Sequence, residues 1–288
     1  MNDIVATQYD DRFQRVFDYI DRHLDEPLSV EQLSQVASFS KFHFHRQFAA
    51  YTGVNVSRYV QLLRLKRASY RLVFVEQQPV IEIALDAGFE NPESFSRAFK
   101  KAFGQTPSQF RRSPAWHIWT ERYQFQKRER RQEMDVDIIE FEETRVAVLE
   151  HRGSPALVND SVKVFIDWRK STGLSPVASS DNFGIAYDDP NTTEPEQFRF
   201  DLCGEVVEPV PENPQGVINK VIPAGRCARL RHVGPHMGLG ECAYYLYRQW
   251  LPESGEELRD FPLFFLYHNL VTDTPEHELV TDLLLPLK

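Results

Sequence analysis

Little in this chain speaks for a secreted, disulfide-bonded or membrane-spanning protein. Its 288 residues hold three cysteines, Cys203, Cys227 and Cys242. They are far apart and odd in number, which excludes a disulfide framework and offers no zinc spacing; a reducing cytoplasm suits them. No run approaches the ~20 apolar residues needed to cross a bilayer. Met1-Asn2-Asp3-Ile4 lacks the basic-then-apolar layout of a secretory leader. Positive charge is also short overall, the net being −9, which by itself argues against a polyanionic partner. Its distribution argues the other way. Residues 37–131 carry 17 Lys and Arg against 7 Asp and Glu, whereas residues 132–288 carry 13 against 27. One part suits a polyanion and the other has a different task. With 42% hydrophobic and 12% aromatic residues, the chain is globular and long enough for two cores.

The N-terminal part reads as helices. Phe13, Val16, Phe17, Ile20 and Leu24 form an apolar stripe at helical spacing, which Asp25-Glu26-Pro27 ends. Ser29 with Gln32 makes a capping box that opens a second helix, and Ser40 caps a third that stops at Gly53. The pattern then recurs at an offset of 51 residues: Phe44 with Phe95, Arg46 with Arg97, Phe48 with Phe99, Gly53 with Gly104, Ser57 with Ser108. Such repetition marks two copies of one supersecondary unit, here helix, tight turn, helix. Between them, Ser57 to about Val73 reads as one helix of roughly 25 Å. A strut of that length can hold two reading heads near the ~34 Å repeat of B-DNA.

In the first recognition helix Phe44, Phe48 and Tyr51 fall on the core face, while Phe42, His45, Arg46 and Ala49 face outward. Phe42 suits a thymine methyl, Arg46 a guanine taken bidentately, and His45 donates or accepts; a surface ion pair is the alternative for Arg46. His43 and His45, two apart, face different ways and make a poor metal pair, so neither metal nor cofactor is expected. The second helix opens with Asn91-Pro92-Glu93: Asn as cap, Pro in the first turn, an acid at the positive end. Phe95, Phe99 and Ala102 form its core face and Glu93, Ser94, Arg97 and Lys100 its outer one. Glu93 either accepts from cytosine or caps the helix, and capping is favoured. Base reading is thus expected of Phe42, His45, Arg46, Glu93, Ser94 and Arg97. Phosphate contacts, which position rather than specify, are expected of Ser40, Lys41, Arg64, Lys66, Arg67, Asn91, Lys100, Lys101, Arg111 and Arg112.

Residues 10–112 closely resemble the DNA-binding domain of AraC/XylS-family regulators. Leu33, Ala37, Ser40, Phe44, Arg46, Phe48 and Gly53 carry the likeness, followed by Ile83, Ala84, Gly88-Phe89, Phe95, Arg97, Phe99-Lys100, Phe103-Gly104 and Pro107-Ser108. The stretch from Ile83 to Phe110 is the most diagnostic. The resemblance implies seven helices, the third and sixth entering the major groove, and control of promoters.

After residues 1–112, residues 113–133 look like a basic, aromatic-containing connector with Lys127-Arg128-Glu129-Arg130-Arg131 at its end. From Val136 the character changes. Val136 and Ile138 alternate, as do Val146 and Val148, and Pro and Gly punctuate frequently, which reads as α+β. A second duplication runs through residues 134–288. His151-Arg152-Gly153 pairs with His232-Val233-Gly234 and Asp201 with Asp282 at an offset of 81; Trp168 pairs with Trp250 and Gly173 with Gly255 at 82. Each half reads strand, helix, strand, strand, and two such halves make a cleft, the default binding site. The expected fold is therefore two domains, an all-α double helix-turn-helix followed by an α+β domain of two repeats.

Residues 135–287 resemble the GyrI-like effector-binding domain, through Pro223-Ala224-Gly225-Arg226, His232-Val233-Gly234-Pro235, Trp250-Leu251-Pro252 with Ser254-Gly255, and Leu285-Pro286-Leu287. In the first half Asp188-Asp189-Pro190 and Phe200-Asp201 with Cys203 fit more loosely. The combination resembles Rob-like regulators, and implies a domain that binds apolar or cationic drugs between aromatic walls. Where family members that capture cations carry Pro-x-Phe-Glu-x-Tyr, this chain has Pro262-Leu263-Phe264-Phe265-Leu266-Tyr267, so Phe265 replaces the glutamate. A buried cation then lacks its charge partner, which favours a neutral apolar ligand unless Glu205 or Asp201 substitutes. The ligand set expected is Trp168, Tyr187, Glu205, Trp250, Phe265 and Tyr267, with core packing the alternative for each aromatic. Ser, His and Asp are scattered and Cys227 has no evident base, so an enzyme is not expected; a GyrI-like hydrolase or a drug-sequestering protein is the rival reading. The expected partners are double-stranded promoter DNA, a small-molecule effector and RNA polymerase, in a bacterial cytoplasm at the nucleoid.

Overall fold

The computed structural model describes residues 2–75, 77–116, 118 and 134–288, with side chains from Arg12 onward and Phe42 excepted. The chain divides into two compact units, Met1–Arg130 and Arg131–Lys288.

Unit one is helical. α1 (Asn2–Arg22) lays Phe13, Val16, Phe17 and Ile20 into a core. There Phe13 stacks on Tyr51 at 4.7 Å, and Phe17 packs against Phe48 and Tyr59. α2 (Val30–Val36) starts in the Ser29–Gln32 capping box, and α3 (Lys41–Thr52) runs from Ser40 to a left-handed Gly53. α4 (Val56–Phe74) is the expected strut, 19 residues long or about 28 Å. α5 (Val80–Asp86), α6 (Pro92–Phe103) and α7 (Pro107–Arg112) then repeat the arrangement. The copies match in length: α2 and α5 have seven residues each, α3 and α6 twelve.

The match also exposes a one-residue step in the offset. Phe39 N–H donates to the Ser34 carbonyl and Phe89 N–H to that of Ala84, an offset of 50, with Ser38 (φ 53°) standing where Gly88 (φ 76°) stands. The second copy then has one more residue before its recognition helix, giving the offset of 51. Ser38 is the one non-glycine at positive φ among the described residues, a conformation that costs an L-residue about 1–2 kcal/mol.

The second copy packs Phe95, Phe99, Phe103 and Phe110 on one another, with Phe110 edge-on to Trp116, all fully buried. Trp116 also stacks on Phe74 of α4. The helical unit therefore continues past Arg112 into what the sequence suggested was connector; the basic stretch Lys127–Arg131 lies outside the described residues.

Unit two is an eight-stranded antiparallel sheet of order β1-β6-β8-β7-β3-β4-β2-β5. Its strands are β1 (Val136–Phe141), β2 (Thr144–Arg152), β3 (Asn182–Ala186), β4 (Arg199–Glu205), β5 (Ile218–Ile222), β6 (Gly225–Val233), β7 (Phe264–Tyr267) and β8 (Val280–Pro286). α8 (Val158–Thr172) follows β2. α9 (Leu239–Tyr245), a π turn and α10 (Leu251–Ser254) follow β6. The two halves, β2-α8-β3-β4 and β6-α9/α10-β7-β8, meet at the β3–β7 pairing. Each half borrows its edge strand from the other: β1 precedes β2 in the chain but pairs with β6, and β5 precedes β6 but pairs with β2. Alternation along the strands sends Ala147, Leu202, Phe200, Phe265, Leu283 and Leu230 to the face that α8 and α9 cover. Val148, Cys203, Phe183, Phe264 and Leu284 go to the opposite face.

Candidate nucleic-acid interface and small-molecule face

The two recognition helices are held the same way. Phe44 and Phe48 in α3, like Phe95 and Phe99 in α6, are fully buried. Since residues four apart share a helix face, burial of these pairs turns His45 and Arg46, and equally Glu93 and Arg97, to the exposed side. Ser94 is half-buried, its hydroxyl donating to the Asn91 carbonyl at 2.8 Å. Ser40 accepts from His43 N–H at 3.4 Å and Asn91 from Ser94 N–H at 2.8 Å, so both act as N-caps. The backbone of Phe42 lies in the first turn of α3; its side chain lies outside the described residues.

The residues expected at phosphates separate into two groups. Lys41, Lys100, Lys101 and Arg112 are exposed, Lys41 within 3.6 Å of Glu31. The others serve the fold. Lys66 is 3% exposed, so its ammonium is not on offer to a phosphate, and that expectation needs revision: position 66 faces the packed side of α4. Arg64 donates from Nε to the Leu24 carbonyl (2.9 Å) and from Nη2 to that of Glu26 (2.7 Å). Arg111 donates to the carbonyls of Leu72 and Gln78, and Arg67 pairs with Asp25. These side chains tie α4 and α7 to neighbouring turns; a sequence shows their charge but not their acceptors.

In unit two the six residues proposed for a ligand do not form one site. Phe265 and Tyr267 stand together on the helix-covered face, ring centroids 6.0 Å apart. Phe200, a family match outside the expected ligand set, joins them at 6.3 Å from Phe265 and packs against both helix-side clusters. His236 adds a ring 5.2 Å from Tyr267. Gly184 makes room for this group: a methyl there would lie 2.4 Å from the Phe200 ring and 3.0 Å from the Tyr267 hydroxyl. Burial pushes the Tyr267 phenol up, keeping it a neutral hydroxyl. Trp168 is 2% exposed and stacks flat on Phe165 at 5.8 Å, a core role. Trp250 is half-buried against the second half's core.

Tyr187 and Glu205 belong to the opposite face. The Tyr187 hydroxyl donates to Asp201 (2.9 Å), which also accepts from Lys220 (2.6 Å) and Arg152 (3.0 Å). Asp201 is fully buried and already partnered by two cations, so it is not available to the aromatic group across the sheet. Its counterpart Asp282 accepts from Arg231 (2.7 and 2.8 Å) and His268 (2.8 Å). Burial raises the Asp282 carboxyl, but those hydrogen bonds more than offset it and hold the group below the usual aspartate range.

Two nucleophile–histidine contacts that the sequence did not reveal sit at matching places. His151 Nδ1 lies 2.8 Å from Ser161 Oγ, and His232 Nδ1 lies 3.5 Å from Cys242 Sγ. In each, Nε2 faces main-chain carbonyls, those of Gly153 and Ser154 for His151 and that of Pro235 for His232. Ser161 and Cys242 share the offset of 81, the one signal that could have found them. Burial pushes the Cys242 thiol up to about 11, so at neutral pH it is a thiol, and the thiolate is the nucleophile. These contacts fasten the first turns of α8 and α9 to the ends of β2 and β6.

Residues 134–288 match the family profile of the GyrI-like small molecule binding domain, and residues 33–113 that of a helix-turn-helix domain. The chain belongs to the GyrI-like family. Its GyrI-like domain is preceded by an AraC-type helix-turn-helix domain. The probable transcriptional regulator YgiV of Escherichia coli K12 is 51% identical over 154 residues, 54% of this chain and 96% of YgiV. The right origin-binding protein of the same organism is 39% identical over 98 residues, 34% of each chain. Among solved structures, the EcmrR–DNA complex studied by cryo-electron microscopy covers 88% of this chain and 84% of its own at 16% identity and a TM-score of 0.45.

Proposed function

We infer that this protein is a sequence-specific transcription regulator in which α3 and α6 enter successive major grooves and read bases chiefly through Arg46 and Arg97. One observation carries the reading: two helices of equal length, each with two fully buried phenylalanines inward and an exposed arginine at the same offset outward. That is the layout of an element whose inner face is fixed and whose outer face reads. His45 and Glu93 flank these arginines, with Glu93 a helix-end charge first. Lys41, Lys100, Lys101 and Arg112 serve as phosphate contacts, and Ser40 and Asn91 position the helix N-termini against the backbone. The small-molecule face is the group of Phe200, Phe265 and Tyr267, and its occupant is apolar and neutral, because the face holds a neutral hydroxyl and rings while the nearby carboxylate Asp201 points to the other side. The protein acts in the cytoplasm on promoter DNA together with RNA polymerase and carries no catalytic step: the two histidine contacts hold helices, and one of their partners is a protonated thiol.

The test is genome-wide mapping of binding sites with and without candidate apolar ligands. Discrete sites whose occupancy changes with ligand support the reading. Featureless occupancy, or turnover of the ligand by purified protein, overturns it.

A further inference from the structure

Within the helical unit, a cleft of about 210 Å³ opens between the two helix-turn-helix copies. Leu33 of α2, Val60 of α4 and Phe89 of the second copy's turn contribute apolar wall; Ser57, Gln61 and Arg64 contribute polar groups. Among the described residues, no Asp or Glu lines it. Arg64 is half-buried, and its hydrogen-bond acceptors are two neutral main-chain carbonyls, so burial lowers its proton affinity without a carboxylate to restore it. Its remaining arm, Nη1, reaches the second copy: a methyl on Gly88 would lie 2.7 Å from it. A partly desolvated cation without a carboxylate, at the edge of an apolar space, attracts an anion carried on an apolar body. The size sets the body: an apolar cavity of about 150 Å³ holds one benzene ring, so this cleft suits one ring plus a carboxylate.

We propose that the cleft is a second small-molecule site, for a single-ring carboxylate whose anionic group meets Arg64 and whose ring lies against Val60 and Phe89. Its walls come from both helix-turn-helix copies, so an occupant prefers one spacing of the reading heads over others, and a ligand with such a preference shifts DNA affinity. The site is separate from the aromatic face of the GyrI-like domain.

The experiment is calorimetric titration of the full-length protein with benzoate, with benzamide as the neutral isostere and acetate as the carboxylate without a ring. It is repeated on Arg64→Gln and on Ser57→Trp, which fills the mouth from an exposed position and leaves the bonds of Arg64 intact. One saturable benzoate site is expected, with benzamide and acetate each weaker by about tenfold or more. Benzoate binding should be lost in Ser57→Trp, and saturating benzoate should change the affinity of the wild type for its mapped sites at least threefold. Benzoate binding that is absent, or equal in Ser57→Trp, overturns the proposal. So does loss of DNA affinity in Ser57→Trp without benzoate binding in the wild type, which would make the cleft a seat for DNA phosphate.

Discussion

The same substitution, Gly→Ala, should have opposite effects at two positions of the GyrI-like domain. At Gly184, in β3, the added methyl would stand 2.4 Å from the Phe200 ring and 3.0 Å from the Tyr267 hydroxyl. The first is closer than carbon atoms approach and the second is tight, and both rings pack against Phe265. The Phe200 ring must shift and Tyr267 must give slightly, and overpacking of this kind costs about 1–3 kcal/mol. At Gly240, in the first turn of α9, nothing lies within 4 Å. There alanine removes the glycine's entropic penalty and gains about 0.5 kcal/mol. Urea unfolding of the full chain measures both. With a slope of about 2 kcal/mol per molar, Gly184→Ala should lower the midpoint by roughly 0.5–1.5 M and Gly240→Ala raise it slightly, with slopes unchanged. Ligand binding at the aromatic face should weaken in the first variant only. Equal midpoints for Gly184→Ala and wild type would refute the packing argument, and with it the assignment of Phe200 and Tyr267 to one rigid wall.

Ser38→Gly should stabilise the first helix-turn-helix copy by roughly 0.5–1 kcal/mol, since glycine adopts the left-handed turn without strain; thermal melts decide. Asn91→Ala removes the acceptor of Ser94 N–H and should cost about 1 kcal/mol, with stability measured alongside DNA affinity so that loss of a phosphate contact shows as an excess. Asp282 has a folded-state carboxyl held below its unfolded value, so its contribution is present above about pH 4 and is lost as pH falls through the folded value. Asp282→Asn should flatten that acid limb of the stability profile, and an unchanged limb would contradict the assignment. Lys100→Gln should reduce the salt slope of DNA binding by about one, whereas Lys66→Gln should leave it alone.

What the sequence made legible follows from the range of the forces involved. Caps, periodicity and the 51-residue repeat are local, and the structure reproduces the Ser29–Gln32 box, the helix over 56–74 and the twin glycine stops. The one-residue step between copies stayed hidden because Ser38 holds a turn position that glycine normally marks. In the C-terminal half the 81-residue offset disclosed two repeats but not the exchange of β1 and β5, since hydrophobic alternation fixes a strand's faces and not its neighbour. Faces also decided the ligand set. Phe265 and Tyr267, two apart on a strand, belong together as expected, whereas Tyr187 is drawn to the other side by the hydrogen bond to Asp201. Phe200, a family-matching residue, stayed outside the expected ligand set because its role depends on the tertiary gap over Gly184.

The most direct test of DNA reading is a titration of purified protein, at physiological salt, against a duplex taken from a mapped site and against a scrambled duplex. Arg46→Ala and Arg97→Ala should each cost about 1–3 kcal/mol on the mapped duplex and relax base preference at two positions about one helical turn apart. If both variants keep the wild-type ratio of specific to scrambled binding, the outward faces of α3 and α6 do not read DNA and the proposed regulator is contradicted.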